Sequence, residues 1–148
     1  MHYFKKYKLT VVKESSSKYE ISNIISSPQD IVNVVTHVLK IQEEAEEIFV
    51  LITLDTKNKV TGIFEVSRGS IDSSIVHPRE VLKRALLNNS ANIVVAHNHP
   101  SEDPTPSKND INITLRLKEA SDLIGINLLD HVIIGGSRYC SLHEEAVL

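Results

Sequence analysis

Ile93 to Ala96 form an unbroken apolar run closed by His97-Asn98-His99-Pro100, and this junction limits the folds open to the chain. A short apolar run bounded by polar residues reads as a strand buried on both faces, not one lying on the surface. Side chains two apart on a strand point the same way, so His97 and His99 project together from its tip. Pro100, Pro104 and Pro106 break regular structure beyond them, and Ser107 opens a helix whose first turn carries Asp110. Ser107, Asp110, Ile113, Leu117, Ala120 and Ile124 follow at spacings of three and four, which puts them on one helical face. The apolar part of that face must pack on the sheet, so the first turn overhangs the strand end. Two imidazoles and a carboxylate, with a position left for water, are the donor set of an open, hydrolytic zinc site.

Plainer readings exist for each residue alone. A single histidine beside an apolar run is ordinarily a packed, hydrogen-bonded core residue. Ser107 with Asp110 is by itself a helix N-cap followed by an acidic first turn. Capping leaves unexplained two histidines at spacing two, on a strand end, facing an inward Asp. A two-His, one-Asp set also accepts divalent ions other than zinc.

Composition narrows the class. With 148 residues, 41% hydrophobic and 24% charged, the chain is one ordinary globular domain that buries about two thirds of its unfolded surface. Sixteen Lys and Arg against nineteen Asp and Glu give a net charge of −3, no electrostatic footprint for wrapping nucleic acid. One Cys excludes a disulfide framework and the two-cysteine zinc site of nucleobase deaminases. No apolar stretch is long enough to span a bilayer, and Lys5, Lys6 and Lys8 precede no signal-peptide core, so a cytoplasmic protein without a membrane partner is expected.

Around the central junction, residues 3–13 read as a strand and Tyr19–Ile25 as its return, an N-terminal hairpin extension over 1–26 ahead of a domain at 27–148. Ser27-Pro28-Gln29-Asp30 starts a helix with an apolar stripe of Ile31, Val34, Val35, Val38 and Leu39, up to about Lys40. Gln42–Glu47 is an acidic run, read as a solvated helix end before the strand Ile48–Leu54. A hairpin over Asp55–Lys59 leads to a strand Val60–Val66, then a polar loop Ser67–Ser74. Pro78 starts a helix with Val81, Leu82, Ala85 and Leu86, flanked by a structural His77. Gly125 ends the Asp110 helix and Ile126–Ile134 form another strand. Asp130 and His131 interrupt that strand and must be satisfied by hydrogen bonds, at the sheet end or behind the metal ligands, and they stand outside the ligand set. Tyr139–Ser141 read as an edge strand, His143–Leu148 as a frayed helix, and Cys140 as an inert thiol.

His97-Asn98-His99, seven residues, Ser107, two residues, Asp110 resembles the JAMM motif of the JAB/MPN metalloprotease superfamily. The words at 96–101 (Ala-His-Asn-His-Pro-Ser), 104–107 (Pro-Thr-Pro-Ser), 76–80 (Val-His-Pro-Arg-Glu) and 128–135 (Leu-Leu-Asp-His-Val-Ile-Ile-Gly) resemble its bacterial RadC branch, over about residues 20–148. The resemblance implies an α/β fold: a single JAB/MPN, cytidine-deaminase-like domain with a mixed central sheet flanked by helices. It implies one Zn2+ per chain on His97, His99 and Asp110. In the JAMM pattern an upstream Glu at the start of a strand is the general base, and Glu-Ile-Phe-Val-Leu at 47–51 places that role on Glu47. Glu46 is the neighbouring alternative, and strand parity would aim it at the opposite face.

The implied chemistry is attack on an amide carbonyl by a water on the metal, activated by Glu47, with Ser107 donating a hydrogen bond to the oxyanion. The substrate would be a peptide or an isopeptide-linked protein. A serine nucleophile is disfavoured because no glycine-flanked elbow surrounds Ser107. Two features depart from the branch's pattern. Glu102, followed by Asp103, stands where RadC-like sequences typically have Gly, adding negative charge that would tighten cation binding, supply a competing ligand or repel an anionic substrate. The helix-hairpin-helix region of longer members is also missing from these 148 residues. The alternative function is a DNA-repair-associated or partner-binding domain that holds zinc without turnover, and a nuclease is a weaker third.

Overall fold

The first helix, α1 (Pro28–His37), begins where the sequence predicts because Ser27 and Asp30 close a capping box. The Ser27 hydroxyl accepts from the Asp30 backbone N–H, and the Asp30 carboxylate accepts from the Ser27 N–H at 2.9 Å. In the computed structural model, which describes residues 1–69 and 76–148, the chain continues through a short 3-10 turn (Ile41–Glu43) into β1 (Glu47–Leu54) and β2 (Val60–Gly69). There follow α2 (Pro78–Leu87), β3 (Asn92–Asn98), α3 (Lys108–Ile124), β4 (Asn127–Gly135) and β5 (Arg138–Ser141).

The five strands form one mixed sheet in the order β2-β1-β3-β4-β5, with β3 at its centre. β3 runs parallel to β4 and antiparallel to β1, and the outer pairs are antiparallel. Both faces of the sheet are covered, which is why β3 carries apolar side chains at every position from Ile93 to Ala96. On one face Val94, Ala96, Val50, Ile52 and Val132 pack with Ile31, Val34 and Val35 of α1. On the other, Ile93, Val95, Phe49 and Leu51 pack with Val81, Leu82 and Ala85 of α2 and Leu117 of α3. Each fully buried aliphatic side chain contributes roughly 1.5–3 kcal/mol, so this double cover makes the strand bearing the histidines a rigid support.

Several expectations are corrected. Residues 1–19 form no strand, and among the described residues the only pairing before α1 is a single bridge between Ile24 and Lys59. Tyr3, Phe4, Tyr7, Leu9 and Val12 are exposed, so strand-like composition found neither a ladder partner nor a surface to cover. α1 stops at His37, short of Lys40, whose backbone is left-handed at φ +53°. β2 runs on through Ser67–Gly69, assigned above to a loop, and Arg68 there pairs with Glu65 at 2.6 Å and Glu44 at 3.0 Å. The rest of that predicted loop, from residue 70 on, lies outside the described residues. The buried face of α3 is Asp110, Thr114, Leu117 and Ser121, while Ile124 is exposed. Thr114 and Ser121 are tolerated against the sheet because each hydroxyl donates to the carbonyl four residues back, Asp110 O and Leu117 O, both at 2.5 Å. The C-terminal residues after β5 make turns, not a helix, and Ala146 takes a left-handed φ of +57° that no helix admits.

Candidate metal centre

Strand pairing assembles the site. Phe49 of β1 lies opposite His97 of β3, so the two share a face, and Glu47, two residues earlier, shares it with them. Asn98, between the histidines, points to the other side. Its Oδ1 accepts from the Ile48 N–H at 2.7 Å and its Nδ2 donates to the Glu46 carbonyl at 2.9 Å, fixing where β1 begins. The carboxylate brought to the histidines is therefore that of Glu47. Its Oε1 is 3.8 Å from His97 Nε2, and the side chain of Glu46 stays exposed. Asn98 went unnoticed in the sequence, although its place between two same-facing histidines already required the opposite orientation.

α3 brings the third candidate ligand. Its capping box joins Ser107 to Asp110: the Ser107 N–H donates to Asp110 Oδ2 at 2.7 Å, and the Asp110 N–H donates to Ser107 Oγ at 3.1 Å. The capping reading holds for Asp110, and the capped carboxylate still turns both of its oxygens toward the histidines. Asp110 Oδ1 is 3.2 Å from His97 Nε2, Oδ2 is 3.2 Å from His99 Nε2, and the two Nε2 atoms are 3.0 Å apart. Among the described residues, these three side chains are the group whose ligand atoms all lie within 4.8 Å of one another. Glu102 is outside it.

The donor set fits a cation. His99 Nδ1 lies 2.7 Å from the carbonyl of Asp103, which has no proton, so that nitrogen donates and a neutral His99 presents a bare Nε2 to the cluster. A bare nitrogen facing a carboxylate and a second imidazole nitrogen needs something positive between them. Ligands about 2.0–2.1 Å from a tetrahedral ion sit about 3.3 Å from one another, close to the spacings found here. A proton is the other remedy, and His99 has its pKa raised chiefly by its hydrogen bond to Asp110. Burial pushes the Asp110 carboxyl up, but the hydrogen bonds to His97 and His99 outweigh it and hold the group well below the usual carboxylate range. Glu47 is raised above its ordinary value by burial, in the direction that suits a proton acceptor.

The remaining residues sort by what they touch. His131 and Asp130 of β4 divide between two tasks. His131 is completely buried, with Nε2 2.8 Å from His97 Nδ1 and Nδ1 2.6 Å from Thr114 Oγ1. Burial keeps its pKa well below the ordinary histidine value. Asp130 turns away and holds the C-terminal turn, accepting from Ser141 Oγ at 2.7 Å and the His143 N–H at 3.1 Å. Thr114 was missed, although it lies one helical turn beyond Asp110 and so on the same face. Phe49 stacks on the His97 ring at 13° and meets His131 edge-on, which holds both ring planes. His77 caps α2, accepting from the Arg79 N–H at 3.2 Å, and has no place in the cluster. Cys140 is a free thiol whose pKa burial raises, consistent with inertness.

Glu102 carries a backbone cost. Its φ is +65°, the conformation that Gly adopts freely and other residues adopt at about 1–2 kcal/mol. Glu102→Gly relieves that strain but loosens the unfolded chain by about 0.4–1 kcal/mol, so a net gain below about 1.5 kcal/mol is expected in reversible thermal unfolding of metal-free protein. A loss of more than about 1 kcal/mol would show that the Glu102 side chain does more than occupy the turn.

The model of the RadC-like JAB domain family matches residues 25–147. The chain is 50% identical over 145 residues to a UPF0758 protein of Clostridium botulinum (strain Hall), covering 98% of this chain and 58% of that protein. It is 48% identical over 124 residues to a UPF0758 protein of Clostridium beijerinckii, covering 84% and 53% respectively. With a UPF0758 protein of Clostridium perfringens the identity is 45% over 139 residues, covering 91% and 60%. The chain thus spans between about half and three fifths of the length of these relatives.

Proposed function

The chain belongs to the RadC-like JAB domain family, and on that premise we propose that it is a zinc-dependent hydrolase of peptide or isopeptide bonds. The observation that carries this reading is the convergence of His97 Nε2, His99 Nε2 and Asp110 at 3.0–3.2 Å, with the Glu47 carboxylate 3.8 Å from the same His97 nitrogen. Zinc held there supplies a Lewis acid that lowers the pKa of water from about 15.7 to about 7 and polarises a carbonyl. Glu47, mostly buried at 15% exposure, takes the proton of the attacking water and returns it to the departing amine. Ser107 Oγ accepts from the Asp110 N–H, which leaves its own proton free to be donated to the developing oxyanion. The net charge of −3 supports a polypeptide substrate over a nucleic acid.

Metal content per chain, measured by elemental analysis of protein purified without chelator, tests the foundation. The native chain should carry about one zinc, and His97→Ala and Asp110→Ala should carry none, since each removes one of three protein ligands. A native chain that takes up no metal even when zinc is supplied overturns the reading.

A further inference from the structure

The hydrogen bonds behind His97 run in one direction only. Thr114 Oγ1 is 2.5 Å from the Asp110 carbonyl oxygen, which has no proton to give, so the hydroxyl proton is committed there. Toward His131 Nδ1, 2.6 Å away, the same oxygen can then only accept, and Nδ1 must carry the proton. His131 is fully buried, an environment that disfavours a charged ring, and a neutral ring protonated on Nδ1 has a bare Nε2. That Nε2 lies 2.8 Å from His97 Nδ1, so His97 Nδ1 is the donor and its Nε2 lone pair faces His99 and Asp110.

We propose that Thr114 and His131 are positioning residues that set the tautomer of His97, so that it presents Nε2 to the metal before any metal arrives. The chain of bonds starts on the backbone of one ligand, Asp110, crosses from α3 to β4 and ends on the ring of another, His97. It therefore ties the rotation of the His97 ring to the first turn of α3. A metal-ligating histidine commonly gives its second ring proton to a carboxylate or a carbonyl. Here the acceptor is a second imidazole, and only the hydroxyl of Thr114 decides which of that imidazole's nitrogens is free. Thr114→Val removes the decision with almost no change of shape, and Thr114→Ser keeps it.

The proposal rests on the zinc reading of the same site, and two readouts separate their failures. In long-range proton–nitrogen NMR spectra of the native, 15N-labelled, metal-free chain at mildly alkaline pH, His131 should show a protonated Nδ1 and a bare Nε2. His97 should show a protonated Nδ1. A His131 protonated on Nε2 overturns the proposal whether or not the protein binds zinc. In chelator competition, Thr114→Val should bind zinc about 10–100-fold more weakly than the native chain, with Thr114→Ser within about threefold of it. Equal affinity for the Val variant overturns the proposal and leaves the metal site standing. If no variant and not the native chain binds zinc, the hydrolase reading falls, and the NMR assignment alone decides the tautomer. If the Val variant does not fold, the native spectra and the Ser variant still decide it.

Discussion

Glu47→Gln should retain zinc at the native level and lose about 10²–10⁴-fold in the rate of amide or isopeptide hydrolysis, the span that a positioned general acid and base contributes. The amide keeps the size of the carboxylate, so β1 and its pairing with β3 are undisturbed, and none of the three converging ligand atoms is touched. What disappears is the carboxylate beside His97 Nε2 that stands outside the three converging groups and is left to accept a proton and give it back. The comparison with Glu46→Gln sharpens the test, because Glu46 precedes β1, is exposed, and meets Asn98 only through its backbone carbonyl. That variant should hydrolyse at the native rate. The assay screens the native chain against peptide and isopeptide-linked substrates first, then times the variants on whichever is cleaved. A native chain that binds zinc and cleaves none of them, with both variants binding a partner as the native chain does, would favour the domain that holds metal without turnover.

Much of this site was legible because it depends on parity and helical spacing, which survive errors in element boundaries. Two residues apart on β3 meant one face for His97 and His99, and a one-residue difference on β1 separated Glu47 from Glu46. The first turn of α3 placed Asp110 above the strand end. The burial of α3 beyond that turn was less legible: Ile113 and Ala120 pack against the core as their apolar character suggested, but Ile124 is exposed, and Thr114 and Ser121 face the sheet. A threonine that satisfies its own hydroxyl on the helix backbone buries as readily as an aliphatic residue, and a hydrophobic pattern does not register it. His131 could be recognised as needing a partner but not which one, since the pairing of β3 with β4 is long-range and slips in register beside Asp130. The N-terminal segment failed for the converse reason: alternation in residues 3–13 expresses a capacity to pair, and pairing requires a free edge within reach.

The opposite wall of the site rests on a glycine that carries no functional group. Gly135 ends β4, and a Cβ there would lie 2.4 Å from Pro104 N and 2.7 Å from the carbonyl carbon of Asp103. Both are backbone atoms, so no side-chain rotation relieves the contact, and the segment from residue 100 to 106 must move as a body. That segment is tied to His99 twice, through the Asp103 carbonyl on Nδ1 at 2.7 Å and through the Glu102 N–H on the His99 carbonyl at 3.0 Å. Gly135→Ala should therefore cost about 1–3 kcal/mol of stability by overpacking, and should also weaken zinc binding about 10–100-fold by displacing the acceptor that orients His99. Thermal unfolding of the metal-free chain and chelator competition measure the two effects separately. Gly62→Ala is the control: its Cβ would meet Asn88 Nδ2 at 2.7 Å, a side chain able to swing aside, at the end of β1 and β2 remote from the histidines. It should lose some stability and none of its zinc affinity beyond that. If Gly135→Ala also loses stability alone, the Asp103 carbonyl is not what holds His99, and the orientation of that ring comes from Asp110 instead.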